Sequence, residues 1–309
     1  MHINCRGREH PVGPLWHSGD MPELPEVAGL SAFLGTQLRG AVLTKIQIVS
    51  FAVLKTADPP YTALEGSKVS GVRRFGKFIS IDTDGPSFVF HLARAGWVRF
   101  TDSPTGTQVR PGKSPIAARL AFSGPDGDHG MDLTEAGTKK SLAVYVVRDP
   151  QDVPGIAALG PDPFSEEFDA DTLAEILGSS SQQVKGLLRS QSVIAGIGNA
   201  YSDEILHAAK ISPFATGKSL DRGTVQILYD AIHSILGTAL SEAEGKPPSE
   251  LKDVKRSHMR VHARTGEACP VCGDTVREVS FADSSLQYCA TCQTGGKPLA
   301  DRRLSRLLK

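Results

Sequence analysis

The residues best suited to chemistry lie near the two ends of the chain. Close to one end stands Met21-Pro22-Glu23-Leu24-Pro25-Glu26-Val27. A proline freed as an N-terminus by methionine removal offers a secondary amine, and α-amines titrate at about 7.7–8.0, well below lysine. Such an amine is a nucleophile at neutral pH. Inside a peptide bond the same nitrogen is a tertiary amide whose lone pair is delocalised, and the reactivity is gone. Glu23 and Glu26 supply carboxylates beside it, the group type that takes and returns protons. Twenty residues precede Met21, so this chemistry requires that Met21 initiates and that the leader 1–20 is not in the mature protein.

Toward the other end, Cys269-Pro270-Val271-Cys272 and Cys289-Ala290-Thr291-Cys292 are separated by sixteen residues. Two close thiolate pairs at this spacing match a four-cysteine zinc site, and one structural Zn2+ is expected on Cys269, Cys272, Cys289 and Cys292. His258 and His262 lie nearby, but four thiolates already fill a tetrahedron. Both histidines therefore read as surface or DNA-facing side chains. Cys5 is left over.

The elements that must position these groups fall into three regions. Pro22 and Pro25 suit a first helical turn and Glu23 and Glu26 suit its positive end. Val27, Leu30, Phe33, Leu34 and Leu38 then recur at three- and four-residue steps, predicting a helix that stops near Gly40. From 41 to 149 the pattern is one of short β-rich runs, at 43–54, 68–73, 78–82, 88–100, 117–122 and 142–148. Asp84-Gly85-Pro86 and the glycine-rich 124–130 punctuate them, which predicts an antiparallel β-sandwich. The period turns helical between 168 and 245. The run between the cysteine pairs, with Val276, Val279, Phe281, Leu286 and Tyr288 around Asp283-Ser284, reads as a β-hairpin. The expected fold is thus α+β multidomain: a catalytic helix-plus-sandwich domain at 21–150, a linker at 151–166, a helical domain at 167–250, a zinc finger at 258–293 and a basic tail at 294–309.

At 309 residues the chain is long enough for two domains and a small module. Charge is balanced overall, with 34 Lys plus Arg and 34 Asp plus Glu, so its distribution is more informative than its sum. Residues 149–181 carry eight acidic residues and no Lys or Arg, which reads as a solvated domain boundary. Residues 251–309 carry eleven Lys or Arg against six Asp or Glu, an excess suited to a polyanion. No apolar run is long enough for a membrane span, and the leader lacks the apolar core of a secretory signal. A cytoplasmic protein is expected, one that sits on the nucleoid if the polyanion is DNA.

An N-terminal Pro-Glu-Leu-Pro-Glu, a β-sandwich, a helical region carrying Gly196-Ile197-Gly198-Asn199-Ala200-Tyr201-Ser202-Asp203-Glu204, and a four-cysteine finger occur here in that order. In this order they resemble the formamidopyrimidine-DNA glycosylase and endonuclease VIII family of base-excision repair enzymes. The resemblance covers about residues 21–293 and implies a helix-two-turn-helix domain that binds double-stranded damaged DNA as a monomer. It also implies a bifunctional DNA glycosylase and abasic-site lyase: the damaged base flips out, the Pro22 amine attacks C1′, and Glu23 acts as general acid/base. The iminium so formed drives β,δ-elimination. By the same resemblance Lys77 reaches phosphate near the catalytic centre, Glu26 supports the pocket, and Asn199 and Lys185 contact phosphates. The amides of the Gly196 to Gly198 turn would favour an anion at a helix start.

Several positions depart from the family pattern. Arg94, in His91-Leu92-Ala93-Arg94, stands where relatives place a gap-filling methionine, so His91 and Arg94 become the expected DNA contacts there. Asp149-Pro150 is followed by Gln151-Asp152-Val153 rather than a wedge of Arg-Arg-Phe. Ser284, beside Asp283, replaces the hairpin arginine, and 245–262 shows no equivalent of the loop that caps oxidised purines. These losses lean away from 8-oxoguanine and toward oxidised pyrimidines, ring-opened purines or abasic sites. They also allow a rival reading, a protein of the same fold that binds damaged or abasic DNA without cutting it. The tail carries Leu299, Leu304, Leu307 and Leu308 among Arg302, Arg303, Arg306 and Lys309, a pattern fit for backbone contact.

Overall fold

The computed structural model describes residues 21–104, 108–110, 112, 114–136, 140–281 and 284–300. The leader, Asp283 and most of the basic tail lie outside them. The chain opens with α1 (Leu24–Gln37) and then forms β1 (Val42–Ile48), β2 (Val69–Phe75), β3 (Phe78–Thr83), β4 (Ser87–His91), β5 (Gly96–Thr101), β6 (Ile116–Gly124), β7 (Gly127–Glu135) and β8 (Ala143–Val147). Helices α2 (Pro154–Ala157), α3 (Ala170–Gly178), α4 (Val184–Arg189), α5 (Asn199–Ala208), α6 (Arg222–Ala243) and α7 (Leu251–His258) follow. The hairpin β9 (Val276–Ser280) and β10 (Ser285–Cys289) and the short α8 (Ala290–Thr294) complete the described chain.

Two four-stranded antiparallel sheets, ordered β1-β6-β7-β5 and β2-β3-β4-β8, make the sandwich. Its core holds Phe88, Phe90, Phe122, Leu120 and Leu133, and α1 adds Val27, Leu30, Leu34 and Leu38. The apolar steps read in the sequence thus seat α1 on the sandwich. The predicted strand over 88–100 is two strands, because the chain turns at 92–95. There Ala93 takes φ +54 and the Gly96 amide donates to the Leu92 carbonyl at 2.9 Å. Strand β7 was not anticipated: its Gly127-Asp128-His129-Gly130 start looks like a turn, yet Gly130 pairs with Ala121 and Thr101 inside the sheet.

The acidic segment after β8 does more than span. Val153 and Ile156 are buried with Val89 and Val147 on the outer face of β4 and β8, so the expected solvated boundary is also a cover for the sandwich. A second core unites α3 to α6 around Tyr201, Ile205, Leu228 and Ile232. Ala243 and Leu251, from the end of α6 and the start of α7, are buried in the sandwich core, so the helical region is fastened to the sheets by apolar burial. The fold is α+β with separate sandwich, helical and finger cores.

Candidate active site and zinc centre

Pro22 is buried immediately before α1. Its nitrogen is bonded here to Met21, whose carbonyl accepts a 2.7 Å hydrogen bond from Lys255 Nζ. Helix α1 begins with the Glu23 amide donating to Glu26 Oε2 at 2.8 Å. That bond turns Glu26 back toward the chain start, where the Tyr201 hydroxyl donates to its other oxygen at 2.6 Å.

The Glu23 carboxylate reaches the start of α5. Gly198 donates its amide to Oε2 at 2.6 Å, Ala200 to Oε1 at 2.9 Å and Tyr201 to Oε2 at 3.3 Å. The helix start therefore holds an anion, the protein's own Glu23 carboxylate. Glycine is required at 198, because a Cβ there would overlap the Glu23 carboxyl group, and at Gly196, where φ is +89 and a Cβ would stand 2.6 Å from the Leu24 side chain.

Two lysines supply the counter-charge. Lys255, on α7, lies 3.6 Å from Glu23 Oε1 and 3.2 Å from Glu26 Oε2. Lys77 sits in the two-residue turn between β2 and β3 and is 8% exposed. Burial acts most strongly on Glu23 and opposes its ionisation, yet Lys255, Lys77, the Ala200 amide and His262 together hold its carboxyl below the usual range. Burial likewise pushes the Lys77 ammonium down, helped by Lys255 and Arg189 and resisted by Glu23 and Glu26. The centre therefore pairs an ionised carboxylate with a lysine whose proton is loosened.

Four further expected contacts are placed as follows. The His91 ring packs on Phe78 with centroids 4.6 Å apart, its Nδ1 accepts the Ala93 amide at 3.1 Å, and burial with Lys77 nearby lowers its pKa to about 4. Arg94 is exposed at the tip of the β4–β5 turn. Asn199 is the first residue of α5, and its side-chain amide donates to the Ser285 carbonyl at 2.8 Å while its Oδ1 is buried without a partner. Lys185 is turned inward: it is 4% exposed, with Nζ at 2.5 Å from Asp203 Oδ1, 2.9 Å from Ser202 Oγ and 3.2 Å from the Asn199 carbonyl.

The reading of His262 as a surface side chain is corrected. His262 is buried, and its Nδ1 lies 2.8 Å from Asp203 Oδ2. Lys185, Asp203 and His262 thus form one buried polar network beneath α5. His258 pairs with Glu242 across α6 and α7. Lys255 was also missed, because α7 is short and highly charged and its sequence carries no apolar stripe that announces a helix.

At the far end of α5 the cysteines converge. Cys269 Sγ lies 3.9 Å from Cys292 Sγ, and Cys272 Sγ lies 3.3 Å from Cys289 Sγ. Tetrahedral zinc with bonds of about 2.0–2.3 Å places its donors about 3.5–3.8 Å apart, a spacing that the two thiolate pairs bracket. His207 Nε2 also reaches Cys269 Sγ, at 3.3 Å.

Comparison with known proteins gives this geometry a family. Residues 21–134 match the formamidopyrimidine-DNA glycosylase N-terminal domain, residues 159–247 the formamidopyrimidine-DNA glycosylase H2TH domain, and residues 266–295 the zinc finger found in FPG and IleRS. Formamidopyrimidine-DNA glycosylase of Chloroflexus aurantiacus is 30% identical over 286 residues, 88% of this chain and 98% of that protein. The chain belongs to the formamidopyrimidine-DNA glycosylase family. An uncharacterized formamidopyrimidine-DNA glycosylase-like protein of Mycobacterium tuberculosis is 59% identical over 152 residues, 49% of this chain and 95% of that protein. Among solved structures, MutM (Fpg) of Thermus thermophilus superposes with a TM-score of 0.74 at 27% identity, over 90% of this chain and all of that one. Membership makes this a DNA-repair glycosylase fold with a DNA-binding helix-two-turn-helix and a structural zinc finger. No helix among the described residues is long and apolar enough to cross a membrane.

Proposed function

We propose that the protein is a bifunctional DNA glycosylase and abasic-site lyase whose nucleophile is the Pro22 amine. The observation that carries this reading is the convergence of Glu23, Glu26, Lys77 and Lys255 on the buried start of α1. A bare helix cap needs no such cluster, and burying four ionisable side chains together is costly unless they are paired. Neighbours of the same fold include Lactococcus lactis Fpg bound to DNA containing N7-benzyl-Fapy-dG, with a TM-score of 0.77 at 25% identity, which supports damaged double-stranded DNA as the partner.

The chemistry follows from residue types. The flipped nucleotide presents C1′ to Pro22, the N–C1′ bond forms and the base leaves. Glu23, held ionised, takes the amine proton and returns it to the sugar ring oxygen as the C1′–O4′ bond opens. The resulting iminium acidifies the C2′ and then the C4′ proton, and as each is lost to a base the C–H electron pair expels first the 3′ and then the 5′ phosphate in β and δ elimination. Glu26 orders the start of α1, and Lys185 acts by positioning α5. His91 and Arg94, on the β4–β5 turn, and Asn199 face DNA in this reading.

A second reading has its own support. With Met21 present, the Pro22 nitrogen is an amide and Lys255 holds the Met21 carbonyl, an arrangement that binds without bond cleavage. Borohydride reduction with abasic-site duplex separates the two. A chain beginning at Pro22 should yield a covalent adduct that peptide mapping places on Pro22, and a chain retaining residues 1–21 should yield none. An adduct on Lys77 or Lys255, or no adduct with the trimmed chain, would remove the proline from the mechanism.

A further inference from the structure

His207 has no part in the chemistry above, yet it is 2% exposed on α5 and points at the zinc centre. Its Nε2 lies 3.3 Å from Cys269 Sγ, and its Nδ1 is buried without a hydrogen-bond partner. The donor atoms of His207, Cys269, Cys289 and Cys292 all lie within 4.8 Å of one another. Three of these four residues are buried, whereas Cys272 is exposed at the rim of the first knuckle. Five soft or borderline donors therefore surround a site that takes four.

We propose that His207 is a reserve ligand that occupies the fourth zinc position when Cys272 leaves it. The geometry is close to what this exchange needs. Zinc with three thiolates and one imidazole has donor separations of about 3.5–3.8 Å, so the 3.3 Å between His207 and Cys269 is near that spacing and the widest gaps, at most 4.8 Å, close with a shift of about 1 Å. Both ligand sets are common for structural zinc, and imidazole replaces thiolate without any change in the metal's oxidation state. In the exchange one Zn–S bond breaks, one Zn–N bond forms, and Cys272 carries its thiolate or a proton from solvent.

The arrangement also separates two parts of the finger. Cys289 and Cys292 flank the start of α8, and Cys269 is packed with Val261 and Val276, so these three are fixed by the fold. Cys272 follows Pro270 and Val271 in an exposed turn and is followed by Gly273 at φ +77. It is the ligand that can leave without disturbing a core. His207 comes from α5 instead, so with it in place the metal ties the finger directly to the helix whose start holds Glu23.

Zinc content and cobalt substitution of the full-length protein test this without reference to catalysis. Cys272→Ser should retain one zinc per chain, and its Co(II) form should show three-thiolate, one-nitrogen absorption with the thiolate charge-transfer band reduced by roughly a quarter. Cys272→Ser combined with His207→Phe should lose the metal, while His207→Phe alone should keep a four-thiolate spectrum. Selective alkylation of Cys272 in the folded wild-type protein, which avoids any refolding defect, should likewise leave zinc bound. Loss of zinc from Cys272→Ser or on alkylation would overturn the proposal. So would retention by the double variant, or loss from His207→Phe alone.

Discussion

Two buried glutamates meet α5 and accept three backbone amides each, yet they sit in opposite electrostatic surroundings. Glu23 takes the amides of Gly198, Ala200 and Tyr201 at the helix start. Glu204, from the body of the same helix, takes those of Arg260, Val261 and His262 at 2.9, 3.0 and 2.8 Å. Hydrogen bonding alone would make them equals. Burial pushes both toward the neutral form, but Glu23 has Lys255 and Lys77 beside it and ends below the ordinary range, whereas Glu204 has Asp203 beside it and ends above. Neighbouring charge, and the positive end of α5, separate the carboxylate proposed as general acid/base from one that ties the chain to α5.

The largest expected effect comes from removing the proposed acid/base. Glu23→Gln should lower the rate of borohydride-trapped adduct formation by roughly 10²–10⁴-fold, the range for loss of a general acid/base. The variant should still bind abasic duplex. Its stability deficit against wild type should be full at neutral pH and shrink on acidification. The sign follows from the lowered folded pKa: the carboxylate contributes stability above its unfolded value, and this is lost as pH falls through the folded one. An adduct rate within threefold of wild type would sink the role assigned to Glu23.

Lys255→Met sharpens the comparison by making the surroundings of Glu23 more like those of Glu204. Without this cation the folded pKa of Glu23 rises, so the acid limb of the pH–rate profile should move to higher pH. Breaking a buried pair costs about 3–5 kcal/mol in typical cases, and urea titration should register a loss of that order, softened by the remaining Lys77. An unchanged acid limb together with wild-type stability would mean that Lys255 only seals the site.

Much of this contrast was legible in the sequence, and the part that was not has a physical reason. Pro22, Glu23 and the cysteine pairs are read locally, because the chemistry depends on residue type and short spacing. The glycine turn before Asn199 likewise announced an anion site. What could not be read was that Glu23 docks there, since it lies 175 residues from Gly198 in sequence and only tertiary packing brings them together. Lys255 and His207 were hidden for different reasons: α7 is short and charged and buries Lys255 alone among its polar residues, whereas α5 buries Ser202, Asp203, Glu204 and His207 together, so periodicity misassigns them to solvent. Strand β7 was hidden by the opposite signal. Gly127 does close the hairpin turn from β6, but Gly130 serves close strand packing, since a Cβ there would press on Thr101 and Pro104.

The smallest effect, and the one most able to break the comparison, belongs to Glu204→Gln. Activity should stay within a few-fold of wild type, because Glu204 faces the segment leading to the finger and touches none of the reacting groups. The pH dependence of stability should run opposite to that of Glu23→Gln. A raised folded pKa means that the native state favours the proton, so wild-type stability is highest below the unfolded value near 4.5 and declines as pH climbs through the folded one. The neutral amide escapes that decline, although it forfeits an acceptor oxygen at a cost of about 1–3 kcal/mol. Thermal melts across pH should therefore show the variant gaining on wild type from acid to neutral. If it falls further behind, the three amides outweigh burial and Asp203, and the two glutamates differ in position rather than in charge.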